Sequence, residues 1–165
     1  MKQEKVALNG GLEIGNSGKT LNDLTNKNII TAFMNGNQTI RYEYELVNLD
    51  NSVSAGKELI LNSTNHNIKI GKGIKKVEVS ANIFLENMAN TDYVWCFIRK
   101  NDNNVASSII STSKYFITAS ISSVLIDVNE NDVINLVLND AKFNDAIRVV
   151  RSGSFNTWLT IEAIQ

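Results

Sequence analysis

The sequence has no proline, one cysteine and one histidine in 165 residues. A lone cysteine, Cys96, forbids an intramolecular disulfide and a thiolate zinc site. It lies in the apolar run Val94-Trp95-Cys96-Phe97-Ile98, where a small buried hydrophobe is expected and not a nucleophile. His66 lies in a polar stretch, Asn62-Ser63-Thr64-Asn65-His66-Asn67. Nothing in the spacing brings it to Cys96, so cysteine–histidine catalysis is not expected. An excess of one charge is also missing: 16 Lys+Arg stand against 17 Asp+Glu. Nucleic-acid binders carry a basic excess or a basic stripe. The densest basic run here, residues 69–76 with Lys72, Lys75 and Lys76, flanks Gly71 and Gly73 and reads as a solvated strand entry. No nucleic-acid partner is expected. No window reaches the apolar length of a transmembrane helix, so no membrane insertion is expected. Met1-Lys2-Gln3-Glu4-Lys5 is charged and no apolar core follows it. The expectation is a chain without a signal peptide, made in a cytoplasm.

Motifs for bound chemistry are absent for identifiable reasons. Gly15-Asn16-Ser17-Gly18-Lys19-Thr20 ends like a phosphate-binding loop. That loop needs a glycine five residues before its second one, and the position holds Glu13, whose carboxylate repels phosphate. Asp127, Glu130 and Asp132 cluster around one turn. Their spacing matches no calcium loop, and Asp and Asn at hairpin turns cap backbone groups. No catalytic residue, metal or cofactor is expected, and the chain is read as a protein that is not an enzyme.

What the chain has is asparagine at nearly every break between apolar segments. Asparagine tolerates left-handed backbone and caps turns with its side chain, so it can stand in for proline and glycine. The length suits one domain with a short appendage, and the hydrophobic fraction, 43%, is that of a globular protein. Residues 1–28 read as an N-terminal arm or neck. Asn9-Gly10 between short apolar runs is a hairpin signal, and Leu21 and Leu24 are spaced for one helical turn. From residue 29 the pattern is β. Strands are predicted at 29–34, 40–47, 59–61, 68–70, 74–85, 93–99, 105–110, 115–128, 133–138, 147–150 and 157–164. Residues 50–57, 87–92, 101–104, 129–132 and 139–145 are predicted as loops. The clearest alternation runs through Val77, Val79, Ala81, Ile83 and Leu85. About ten short strands with no helix beyond a turn or two predict an all-β antiparallel sandwich over residues 29–165. Among the aromatics of this region are Tyr93, Trp95, Phe97, Tyr115, Phe116, Phe155 and Trp158. Most strand aromatics serve packing or interfaces, and a sugar site would use an exposed one.

Residues 71–165 resemble the globular heads of the complement one-q and tumour necrosis factor superfamily. The resemblance rests on Gly73-Ile74 opening a long alternating strand and on the turn from Phe97-Ile98-Arg99-Lys100-Asn101-Asp102 to Val105. It rests also on the strand from Tyr115 that ends in Asn129-Glu130-Asn131-Asp132, and on the closing Ser154-Phe155-Asn156-Thr157-Trp158-Leu159. Thr157 stands where the family usually has glycine, and Lys75 and Lys76 where it has aromatics. The resemblance implies a ten-stranded jelly roll that assembles as a homotrimer around an inner-sheet face. Tyr115, Phe116 and Trp158 are the implied candidates for that face. Such heads also form terminal knobs of bacteriophage tail and head fibres. The implied role is a phage or prophage virion protein. Its knob would bind a host-surface saccharide or decorate the virion, and its arm would dock to other virion proteins. The competing reading is a bacterial cell-surface carbohydrate-binding module of the same fold. No residue is assigned to a ligand.

Overall fold

A computed structural model describes residues 27–40, 43–86, 92–112, 116–139 and 148–164. Most of the expected arm, residues 1–26, lies outside them. The described residues form thirteen strands. These are β1 (Ile29–Phe33), β2 (Gln38–Ile40), β3 (Tyr44–Leu46), β4 (Asn51–Ala55), β5 (Leu59–Asn62), β6 (Asn67–Ile70) and β7 (Lys76–Glu86). They continue as β8 (Asp92–Lys100), β9 (Asn103–Thr112), β10 (Phe116–Asp127), β11 (Val133–Asn139), β12 (Arg148–Val150) and β13 (Trp158–Ile164).

Two antiparallel sheets stack face to face. In the seven-stranded sheet β7 is central. β10 lies along one side of it, and β13 and then β12 occupy successive lengths of the other. β13 leads on to β1 and β4, and β12 to β2. In the six-stranded sheet the order is β5-β6-β11-β8-β9, with β3 paired to the end of β11 beyond β6. The all-β sandwich inferred from the spacing of apolar runs is the observed architecture.

Alternation explains which residues meet between the sheets. Val77, Val79, Ala81, Ile83 and Leu85 of β7 are all buried, as are Leu159 and Ile161 of β13 and Ile134, Leu136 and Leu138 of β11. β10 keeps the same inward row through a change of phase. Ile121 pairs with Ala81 and Val124 with Val79, so β10 carries one extra residue at Ser122-Ser123. That bulge lets Ile121 and Val124, three apart, both face the core. Gln38, almost fully buried, has every polar atom engaged. Its Nε2 donates to Leu46 O at 2.8 Å and Glu45 Oε1 at 3.2 Å, and its Oε1 accepts from Asn48 N at 2.9 Å. A buried amide with all partners supplied carries no desolvation penalty to offset.

Asparagine and its like do the turning. His66, Asn101, Asp102 and Asn131 have positive φ. Asn101 and Asp102, at φ 47° and 67°, are the two-residue turn of the β8–β9 hairpin, which needs left-handed backbone at both positions. The Asn101 side chain then ties this turn to the next one. Its Nδ2 donates to Asp132 Oδ1 at 2.6 Å and its Oδ1 accepts from Val133 N at 2.9 Å.

Residues 50–57, expected as a loop, contain β4. The segment Asn51-Ser52-Val53-Ser54-Ala55 is too polar to signal a strand, but it pairs with β1 as the sheet edge, where one exposed face and one open edge suffice. The predicted strand at 40–47 is replaced by β2 and β3, which pair in different sheets.

Asp132 locks the β10–β11 turn. Burial pushes its carboxyl up. The Asn129 backbone N–H, the Asn101 amide and the Lys100 ammonium outweigh that and hold it below the usual carboxylate range. A carboxyl depressed in the folded state stabilises fully above its unfolded value, and the stabilisation is lost as pH falls through the folded value. Asp132→Asn is therefore expected to lower the melting temperature at pH 7. The gap to the unaltered chain should narrow as pH is lowered from 7 into the range below the usual carboxylate value of about 4. Thermal unfolding followed by circular dichroism at pH 7 and within that range reads the difference, and a gap unchanged by pH would contradict the assignment.

Candidate functional site

The reactive side chains singled out in the sequence lie apart from one another. Cys96 points into the core, 1% exposed, and burial pushes its thiol up to about 12. His66 donates from Nδ1 to the Leu49 carbonyl at 3.2 Å, tying the β5–β6 turn to the segment before β4. Both oxygens of Asp132 are engaged in the turn, and Asp127 lies exposed beside Lys76 at 3.5 Å. Among the described residues no group of three or more His, Cys, Asp or Glu is arranged to hold a metal. The native chain is expected to leave a thiol reagent such as Ellman's reagent unreacted at pH 8. One thiol per chain should appear when guanidinium is added. Prompt reaction of the folded chain would show that the Cys96 environment is open.

The outer faces of the two sheets are the features that remain. On the seven-stranded sheet, register sets the outward side chains of β1, β13, β7 and β10 in rows. Phe33, Trp158, Asn82 and Ser120 form one row. Thr31, Thr160 and Ser80 form the next, and Ile29, Glu162, Glu78 and Leu125 the third. Glu78, Ser80, Asn82, Phe84, Trp158, Thr160 and Glu162 are half-buried although they face outward. Several of these side chains are bonded to a neighbour. Thr31 Oγ1 and Thr160 Oγ1 lie 2.8 Å apart, Ser120 Oγ donates to Asn82 Oδ1 at 2.8 Å, and Asn82 Nδ2 donates to Asn156 O at 2.5 Å. Ser123 donates to Glu78, and Lys27 pairs with Glu162 at 2.7 Å. The result is a flat face with polar groups satisfied sideways and aromatic rings at one end. Leu125 and Val53 remain 62% and 71% exposed on it.

Of the three residues expected at an assembly face, Trp158 is on this one, beside Phe33. Phe116 opens β10 opposite Glu86 of the same sheet. Tyr115 lies outside the described residues. Thr157 has a role that the glycine of the resembled family could not fill. It is fully buried, and its hydroxyl accepts from Phe84 N–H at 3.2 Å, continuing the β7 ladder one residue before β13 begins. Lys75 and Lys76 are exposed, so the positions do not need the aromatics they replace.

The six-stranded sheet presents a different outer face, which the sequence reading did not assign. Tyr44 of β3, Asn139 of β11, Trp95 of β8 and Ile109 of β9 stand in one row, and Leu46, Val137, Phe97 and Ser107 in the next. The Phe97 ring lies nearly parallel to Tyr44, centroids 6.4 Å apart, and to Trp95, centroids 6.0 Å apart. The signal was present as Tyr93, Trp95 and Phe97 alternating with Val94, Cys96 and Ile98. Both sets are apolar, so the sequence does not say which faces in.

No protein-family model matches the sequence, and no curated protein matches it. Solved structures do. Murine APRIL superposes with a TM-score of 0.65 at 10% identity, over 84% of this chain and 99% of that one. An Eiger TNF from S. frugiperda gives 0.62 at 8% identity, over 84% of this chain and 92% of that one. The PRD1 vertex protein P5 gives 0.55 at 14% identity, over 84% of this chain and 97% of that one. At such identities the likeness is one of fold. The chain has the tumour necrosis factor-like jelly-roll fold.

Proposed function

We propose that the chain is a virion structural protein of a bacteriophage or prophage, a homotrimeric knob whose outward surface meets the host saccharide or the virion exterior. The carrying observation is the outer face of the seven-stranded sheet. Its central side chains, Thr31, Thr160, Ser80, Asn82 and Ser120, are small and several are bonded to one another, and Leu125 and Val53 leave apolar surface that a second copy can cover. The apolar residues supply contact area and the small residues let backbones approach. Likeness in fold to a phage vertex protein supports the virion setting, and likeness to tumour necrosis factor-like heads supports the threefold arrangement. The arm, residues 1–28, would join the knob to other virion proteins. Presenting a surface needs no catalytic group.

Light scattering on the purified chain at micromolar concentration tests this reading. The expected mass is that of three chains. A monodisperse monomer would overturn the assembly. Gene order is an independent check, since virion-assembly genes are expected on either side.

A further inference from the structure

We infer that the aromatic row on the outer face of the six-stranded sheet, Tyr44, Phe97 and Trp95, is a binding platform for a neutral oligosaccharide. The inference rests on the proposed surface-binding role and assigns it a place. The platform lies on the side of the sandwich away from Trp158, so a trimer closed through the seven-stranded sheet leaves it outward.

Three observations carry it. The first is the rings. Phe97 neighbours both Tyr44 and Trp95, and each of those ring planes is within 8° of its own. They come from two strands joined through β11, so the alignment is fixed by the sheet and not by a loop. Tyr44 is 54% exposed, so its ring is accessible to a ligand. A pyranose offers C–H bonds on one side and hydroxyls around its rim, and the electron-rich ring face takes the C–H side.

The second is the polar border. Along β11 the outward row continues from Val137 to Asn135, which pairs with Asn67 on one side and Arg99 on the other. Asn135, 9% exposed, and Asn67 each have a buried Oδ1 with no hydrogen-bond donor. An unmet buried acceptor costs about 1–3 kcal/mol, and a hydroxyl is the donor that removes that cost. Asn67 and Asn135 face each other in the register of β6 and β11, so one hydroxyl-bearing ligand can address both. Amides both donate and accept, which suits hydroxyls of either sense.

The third is charge. The outward register positions of β3, β8, β9 and β11 hold no carboxylate, so nothing here selects a cation. Their one cation, Arg99, is engaged by the carbonyl of Asp102 and lies 3.5 Å from its carboxylate. A phosphate chain would need free cations to offset its charge. An uncharged glycan needs none.

The test uses the full chain and tetrasaccharides of glucose, N-acetylglucosamine, galactose and mannose as probes, read by saturation-transfer NMR. At least one is expected to bind with a Kd in the millimolar range or tighter, with transfer strongest at ring C–H protons. Tyr44→Ala should weaken it roughly tenfold, the share of one stacked ring, and Tyr44→Phe, which keeps the ring, should not. Tyr44 is exposed, so neither variant threatens folding. The platform is overturned if no tetrasaccharide binds at about 10 mM, or if Tyr44→Ala binds as the unaltered chain does. It is overturned too if Tyr44→Ala instead abolishes association beyond the trimer, which would make the face a contact between copies. Light scattering on the same samples separates the two readings. A trimer that binds no sugar fails this inference alone, and a monomer that binds sugar fails the assembly alone.

Discussion

A Ser80→Arg chain is expected to run as a monomer in light scattering at a concentration where the unaltered chain forms the proposed trimer. Ser80 sits on β7 at the middle of the seven-stranded sheet, between the Thr160 position of β13 and the bulge of β10. Its hydroxyl is half-buried in a face of short side chains, where closing copies leave no volume for a guanidinium. Each copy would bring one long side chain into the middle of the face, with Glu78 and Glu162 one row away as the nearest carboxylates. Overpacking costs about 1–3 kcal/mol at each site, and three copies meeting there lose several powers of ten in the association constant. Within the monomer the same arginine reaches water, so the sandwich should stay folded. Far-UV circular dichroism and a cooperative melt establish that. A Ser80→Arg chain that remains trimeric would remove the seven-stranded face from the assembly.

The second large effect belongs to the core. Leu136→Ala is expected to lower the free energy of unfolding by about 3–5 kcal/mol. Leu136 is fully buried at the centre of β11, a strand paired on both sides and covered on both faces. Surrounding strands held by their ladders cannot collapse into the space, so the loss includes an unfilled cavity as well as the transferred methyl groups. Domains of this kind are stable by about 5–15 kcal/mol, so one truncation removes a large part. Urea unfolding in the Ser80→Arg background is the measurement, because stability of an assembled trimer depends on protomer concentration. Ile60→Ala, at a residue 55% exposed, is the control and should change stability by no more than about 0.5 kcal/mol. Equal effects at the two positions would contradict the placement of the core.

Much of the fold was legible because alternation and turn chemistry are local. Val77 to Leu85 alternate cleanly, and β7 is the central strand they build. Asn101-Asp102 and Asn129–Asp132 marked turns, and both adopt left-handed backbone. The errors fall where local signal and tertiary need part company. β4 is polar because an edge strand with an exposed face needs little apolar surface. The extra residue at Ser122-Ser123 was invisible within a long run of alternating residues, since a bulge changes phase without changing composition.

The candidate faces were harder to read. Trp158 was picked out through a closing motif, but Phe33 and Asn82 join it only through pairing over more than seventy residues. Tyr93, Trp95 and Phe97 were visible as aromatics and not as a face, because Val94, Cys96 and Ile98 between them are equally apolar.

The sequence by itself determined the class of the fold, the places where the chain turns and the chemistry the chain does without. Those follow from residue type and from the two-residue period of a strand. Only the tertiary structure decided that Trp158 and Trp95 stand on opposite sides of one sandwich, in different company. That choice rests on which strands pair and which side of each is buried. Both are settled by contacts between residues far apart in the chain, and no local pattern records them.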